Sequence, residues 1–303
     1  MIFIVRVSDG ERLSYSHKIF IGVKIFDSMK IGVIFINRDL KKDARYIGLE
    51  KQLREASYEL YDLESKADIR PETDCVLSVG GDGTFLKAAH LVSDVGIPIL
   101  GVNLGRLGFL SENAPEDVLD ALMEGEFSVE YRSMLNATLK GANARKAIGL
   151  LPYAVNDVCV HRAGAGVLGI NVALDGVSLP TYWADGLIVA TSSGSTAYSL
   201  SVGGPICAPN AKVLIITPIS PHNLNVRPLV VPDTTKISIS ICCRDEKATL
   251  TMDNQVVDID PAWSIEVSVA QFSLKRIRLA KSEFVNALTG KLFWGEDYRN
   301  NNS

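Results

Sequence analysis

Residues 78–90 read SVGGDGTFLKAAH, and this stretch decides the fold. Cys75 to Val79 is an apolar run of strand length. Gly80, Gly81 and Gly83 then surround a single carboxylate, Asp82. From Thr84 onward Phe85, Ala88, Ala89 and Val92 share one helical face. A strand that passes through glycines into a helix is the unit of an α/β sheet, which binds ligands outside the carboxyl ends of its strands. Glycine lets a phosphate approach the backbone closely, and the free N–H groups of a helix start can hold the anion. The bland alternative is a tight strand–helix turn with Asp82 as a cap. GxxxxGK[ST] is absent and no complete GxGxxG occurs. A carboxylate beside phosphates needs a divalent cation, a proton to accept, or both, which favours phosphoryl transfer over simple dinucleotide binding.

The same alternation extends on both sides of the loop. Residues 31–36 (IGVIFI) read as a central strand, 43–60 as an imperfect helical stripe, and Tyr58 to Leu63 and Ile97 to Val102 as further strands. Asn113 reads as the cap of a helix with Pro115 in its first turn, stopping at Gly125. Strands alternating with helices predict a Rossmann-like α/β domain over residues 29–128. Beyond it the period becomes two. Ile237, Ile239 and Ile241 alternate with Lys236, Ser238 and Ser240, and Asp175-Gly176 and Asp253-Asn254 sit between such runs as hairpin turns do. Residues 129–279 therefore read as a β-rich, sandwich-like second domain, with the active site between the two. Residues 280–303 read as a tail, with a terminal helix or turn packing back on the α/β domain. Residues 1–28 precede a second candidate start at Met29 and read either as an extension or as an extra β-hairpin.

Composition narrows the function classes. The chain has 303 residues, 47% apolar and 22% charged, with a net charge of −4. That balance does not suggest nucleic-acid binding. No run of eighteen apolar residues marks a membrane span. Five cysteines without CxxC spacing argue against a disulfide framework and fit a reducing, cytoplasmic compartment. The four histidines are scattered singly, without zinc-site spacing.

Further polar groups lie in the second half. Asn156-Asp157 interrupts an apolar context and offers donors and acceptors suited to ribose hydroxyls or an amino group; the alternative is a turn. Asp185 precedes a strand-like run, as a ligand acceptor or as a hairpin aspartate. Residues 191–205 (TSSGSTAYSLSVGGP) are dense in hydroxyls and glycine, which suit phosphate and ribose, and Tyr198 is placed to stack on a base. Asp253-Asn254-Gln255, taken alone, is a turn.

Together these residues resemble the bacterial NAD kinases. The resemblance rests on GGDGT at 80–84, NLGRLGFL at 103–110, Asn156-Asp157, DGLIVATSSGSTAYSLSVGGP at 185–205 and PHNLNVRPLVVP at 221–232, and it covers residues 29–295. GGDGT alone is shared with diacylglycerol and sphingosine kinases, but those families lack the long serine-rich signature. The resemblance implies phosphorylation of the adenosine ribose 2′-hydroxyl of NAD by ATP, with a divalent cation, Mg²⁺, accompanying the phosphates. It implies that Asp82 accepts the hydroxyl proton or organises metal and phosphate, and that Gly81 and Gly83 line the phosphate path. Asn156 and Asp157, where many members have Glu at the second position, would hold the adenosine. Asp185 would contact the nicotinamide end or a neighbouring subunit's ligand. Ser193, Thr196, Ala197, Tyr198, Ser199, Leu200 and Ser201 would wrap NAD, and Gln255 falls near a C-terminal ligand contact. A homodimer or homotetramer is implied as well. The readings held against this one are a lipid or other small-alcohol kinase sharing the loop, and a non-catalytic dinucleotide-binding regulator.

Overall fold

The computed structural model describes residues 29–105, 108–142, 144, 152–243, 245–280 and 284–294. The extension or hairpin considered for residues 1–28 lies outside them. The apolar run after Met29 forms β1 (Lys30–Ile34), followed by α1 (Ala44–Glu55), β2 (Glu59–Asp62), β3 (Cys75–Val79), α2 (Asp82–Val92), β4 (Ile99–Val102) and α3 (Pro115–Glu124). These four strands are parallel, in the order β2-β1-β3-β4. β3 is buried at every position because helices cover both faces of the sheet. On one face Leu49, Leu53, Val118 and Leu122 of α1 and α3 pack together; on the other lie Phe85, Ala88, Ala89 and Val92 of α2. Each such fully buried large apolar side chain contributes about 1.5–3 kcal/mol.

Two helix starts differ from the sequence reading. Thr84 is the expected first helical residue, but α2 begins at Asp82 with Gly81 as its N-cap. The carboxylate thus stands in the first turn, where the helix dipole favours negative charge. At α3 Pro115 is the first residue, as expected, and Gly125 closes the helix with φ 69°. The cap, however, is Ala114, without a side-chain bond. Asn113 instead donates its amide to the Gly101 carbonyl at 2.8 Å, tying the segment to the end of β4.

The remainder is mostly strand: β5 (Phe127–Lys140), β6 (Tyr153–Ala154), β7 (Asp157–Arg162), β8 (Leu168–Leu174), β9 (Val177–Ser178), β10 (Tyr182–Ala184) and β11 (Gly186–Thr191). A short α4 (Tyr198–Ser201) intervenes before β12 (Val213–Ile219), β13 (Leu229–Pro232), β14 (Ile237–Cys242), β15 (Ala248–Met252), β16 (Gln255–Ile259) and β17 (Ser264–Leu279). The chain ends its described part in α5 (Phe284–Leu292). β7, β11, β12, β13, β15 and β16 form a six-stranded antiparallel sheet. Its inner face, with Val158, Val160, Leu187, Val189, Leu214 and Leu250, packs on Leu135, Leu168, Ile170, Ile237, Ile239 and Ile265 of the other sheet.

That other sheet is continuous across the change of pattern near residue 128. β5 and β17 pair with each other along nearly their whole length, and Arg276 of β17 pairs in parallel with Ile99 of β4. Strands of 14 and 16 residues reach roughly 45–50 Å at about 3.3 Å per residue, enough to serve both layers. The result is one eleven-stranded sheet. Among the described residues no helix is long and apolar enough to cross a membrane.

Candidate active site at the Asp82 loop

The three glycines of the loop have different jobs. Gly80 has φ 144°, and a Cβ there would lie 2.4 Å from the Thr84 hydroxyl, so the backbone itself demands glycine. Gly81 and Gly83 have nothing within 4 Å of the place a Cβ would take, and both are exposed. Packing does not require them; they leave open space beside Asp82. The carboxylate is fixed from the opposite side by the loop after β4. Phe109 N–H donates to Oδ2 at 2.9 Å, and Leu110 and Ser111 N–H donate to Oδ1 at 3.0 and 2.9 Å. A Cβ on Gly108 would fall 1.9 Å from Oδ1, so glycine is what lets this loop close on Asp82. A carboxylate has about four acceptor positions. Three are filled, and Oδ2 keeps one for another donor.

Asn156 and Asp157 are set by a residue that the sequence reading leaves as a plain turn. Met252 pairs with Gln255, so Asp253 and Asn254 do make a two-residue hairpin, and Asp253 has φ 52°. Its carboxylate, however, turns inward and is fully buried. It accepts from Val155 N–H (2.8 Å), Asn156 N–H (2.7 Å) and Asp157 N–H (3.3 Å), and it faces Nε2 of His90 at 2.9 Å. Gln255 Nε2 lies 3.1 Å from Nδ1 of the same imidazole. An amide NH₂ only donates, so Nδ1 accepts and Nε2 carries the proton given to Asp253. Burial pushes the Asp157 carboxyl up, and the nearby Asp253 carboxylate adds to the effect, to about 7. Gln255 therefore stands against His90 rather than in open space.

The serine-rich stretch folds over Asn156. Thr191 N–H donates to the Asn156 carbonyl at 2.9 Å, and the Thr191 hydroxyl spans Val155 O (2.7 Å) and Gly194 N–H (3.0 Å). Within the run expected to wrap a ligand the side chains divide. Ser199 is fully buried and its hydroxyl is shared with Thr217 at 3.0 Å. Tyr198 and Ser201 are exposed, Thr196, Ala197 and Leu200 half-buried. The Tyr198 ring stacks on His161, with centroids 5.7 Å apart and planes at 24°. Asp185 is ion-paired with Arg162 at 2.9 Å. It immediately precedes the His161 end of β11, five residues before Ala190, which pairs with Asp157.

A cavity of about 450 Å³ joins the two motifs. Phe109 and Leu110, whose N–H groups hold Asp82, line it together with Ser193 and Thr196. Ser193 Oγ is buried without a hydrogen-bond partner among the described residues. The structure thus sets the loop that holds Asp82 and the serine-rich stretch on one cavity and ties Asn156-Asp157 to α2 through His90, while Asp185 does not line that cavity. Two residues were missed from sequence: His90 and Asp253. The signal for His90 was a polar residue on the buried face of α2.

The chain is similar to known proteins along most of its length. Residues 33–127 match the family model for the ATP-NAD kinase N-terminal domain, and residues 155–279 that for the ATP-NAD kinase C-terminal domain. An NAD kinase of Flavobacterium psychrophilum is 41% identical over 240 residues, covering 78% of this chain and 81% of its own. One from Bacteroides fragilis is 40% identical over 232 residues, covering 75% and 79%. Among solved structures, an NAD kinase from Archaeoglobus fulgidus in complex with ATP superposes with a TM-score of 0.67 at 27% identity, covering 84% of this chain and 94% of its own. Yeast NADH kinase complexed with NADH shares the fold, with a TM-score of 0.76 at 22% identity over 91% and 90% of the two chains. The chain belongs to the NAD kinase family.

Proposed function

We propose that this protein transfers the γ-phosphoryl group of ATP to the 2′-hydroxyl of the adenosine ribose of NAD, giving NADP and ADP. The observation that carries the reading is the Asp82 carboxylate: three backbone N–H groups hold it, one acceptor position is left, and the glycines beside it leave open space. In the step, the ribose O2′–Pγ bond forms and the bond from Pγ to the β,γ-bridging oxygen breaks. ADP leaves with that electron pair. Asp82 accepts the hydroxyl proton and passes it to solvent. A carboxylate is a weak base toward a hydroxyl, so proton transfer follows O–P bond formation. Catalysis is then mostly positioning and charge neutralisation.

Asn156 and Asp157 hold the adenosine in this reading, with Asp157 able to donate while protonated and accept once ionised. Thr196, Tyr198 and Ser201 offer the exposed surface of the serine-rich stretch to the rest of NAD. Among the described residues no three His, Cys, Asp or Glu side chains form a metal-binding group. The divalent cation enters with the substrate, carried in on the ATP phosphates. A homo-oligomer, as in the family, completes the reading and is checked by light scattering.

The test is an acceptor panel. Purified protein with ATP and Mg²⁺ is offered NAD, NADH and lipid alcohols, and NADP is read with an NADP-specific dehydrogenase. NADP formation from NAD is expected. Phosphorylation of a lipid alcohol alone overturns the reading, as does NAD binding with no transfer.

A further inference from the structure

The segment that holds Asp82 has no regular structure of its own. Residues 108–112 form neither helix nor strand, yet the N–H groups of Phe109, Leu110 and Ser111 converge on one carboxylate. A helix or a strand ladder fixes such directions through its own repeating bonds, whereas a loop needs anchors from outside. Gly108 N–H donates to the Ser111 carbonyl at 2.9 Å, which sets the curvature of the segment but not its place against α2. Cations from the last part of the chain hold it at both ends.

At the far end Glu112 pairs with Arg276 of β17. Their side chains are 11% and 3% exposed, so salt and water screen the pair little. Arg276 is itself fixed, because β17 pairs with β5 along this stretch and reaches Ile99 of β4 through Arg276. At the near end Lys291 of α5 donates its ammonium to the Gly108 carbonyl, and the same ammonium stands 4.7 Å from the centre of the Phe109 ring. The face of an aromatic ring attracts a cation. Helical spacing puts Phe284, Ala287 and Lys291 on one side of α5. Phe284 and Ala287 line the cavity that Phe109 and Leu110 also line, so the helix docks there and carries Lys291 to the loop. Burial pushes the Lys291 ammonium below the usual lysine range, Glu112 and Asp82 act against that shift, and Arg276 acts with it. The two anchors and the carboxylate thus stand within electrostatic reach of one another.

We propose that Lys291 and Glu112 are positioning residues for the transfer step, clamping residues 108–112 from both ends so that three N–H groups keep Asp82 aimed at the acceptor hydroxyl. The proposal rests on the kinase reading above. Each residue acts through the loop and not on the reacting atoms. The last helix of the described chain thereby takes part in setting the geometry of a carboxylate that stands near its beginning.

The test compares Lys291→Met, which keeps the stem and removes the charge, with Lys291→Arg and with Glu112→Gln; thermal melting checks folding. Lys291→Met and Glu112→Gln are expected to lower kcat by about tenfold to a hundredfold, the cost of a misplaced catalytic group. KM for ATP and for NAD should each stay within about twofold. Lys291→Arg recovers most of the loss, since a guanidinium also donates to a carbonyl and stacks on a ring. Because the clamp acts through Asp82, adding Lys291→Met to Asp82→Asn should slow transfer by no more than about twofold further. A rise of about tenfold in KM for ATP at unchanged kcat makes Lys291 a direct contact of the donor and overturns the proposal. A lower melting temperature with unchanged kcat reduces the clamp to a structural tie and overturns it too, as do losses that multiply in the double variant. Amide hydrogen exchange reads the clamp without any activity. Exchange at Phe109, Leu110 and Ser111 should quicken by about tenfold in Lys291→Met, the effect of one lost charge-assisted hydrogen bond, while Val76 and Leu77 of β3 keep their rates. Should the unmodified protein make no NADP, the kinase reading fails on its own, and unchanged exchange at those three amides is then the result that rejects the clamp.

Discussion

Nε2 of His90 lies 2.9 Å from Oδ2 of Asp253, and this one bond joins the helix that begins at Asp82 to the hairpin that fixes Asn156 and Asp157. Both side chains are almost completely buried. In the proposed function, their relative positions set how a ribose held at Asn156-Asp157 would meet the carboxylate two turns earlier on α2. Asp253→Ala strands three backbone donors and the imidazole. It is expected to cost about 3–5 kcal/mol, as breaking a buried polar pair does. His90→Ala leaves Asp253 its backbone partners and should cost less, about 2 kcal/mol. Denaturant unfolding of the two variants checks the order.

Asp157 sets a pH dependence. Its folded-state pKa of about 7 lies above the unfolded value near 4. Between those values the folded protein binds more protons than the unfolded chain. Stability from this group is thus fully present below about pH 4 and declines as pH rises toward 7, by up to ~1.4 kcal/mol per pH unit. Asp157→Asn removes that slope. Urea unfolding of the two proteins at pH 5, 6, 7 and 8 measures it, and the difference between their curves should level off above pH 7.

Two glycines should respond oppositely to one added methyl. At Gly81 an alanine side chain meets nothing, so Gly81→Ala should fold with unchanged stability yet raise KM by crowding the phosphate path. At Gly108 the methyl would enter the Asp82 carboxylate, so Gly108→Ala should displace Asp82 from its three N–H donors. A misplaced catalytic group costs about 10²-fold. Melting temperatures and steady-state kinetics of the pair separate the two effects.

The α/β half was legible because each of its signals was local. An apolar run ends in Gly80, a stripe of Phe85, Ala88, Ala89 and Val92 begins, and Gly125 stops α3. The site was legible only in part. Asp82 and the serine-rich stretch carry their chemistry in consecutive residues. Asp253 does not: the turn was readable, but the inward direction of its carboxylate depends on β15 pairing with β7. Asn113 had the right residue type for a cap, yet the Gly101 carbonyl competes for its amide and wins. β5 and β17 fall within the stretch that reads as a β-rich second domain, since nothing local shows that Arg276 will reach Ile99. Long-range pairing is what single-sequence periodicity omits.

The most direct measurement follows labelled phosphate from [γ-³²P]ATP to NAD in the presence of Mg²⁺, with the unmodified protein beside Asp82→Asn. The unmodified protein should place the label on the ribose 2′-oxygen. Asp82→Asn should bind NAD with a Kd changed by no more than a few-fold while its transfer rate falls by about 10²–10⁴, the usual contribution of a positioned proton acceptor. Equal rates in the two proteins, or label that never reaches NAD, would contradict the account.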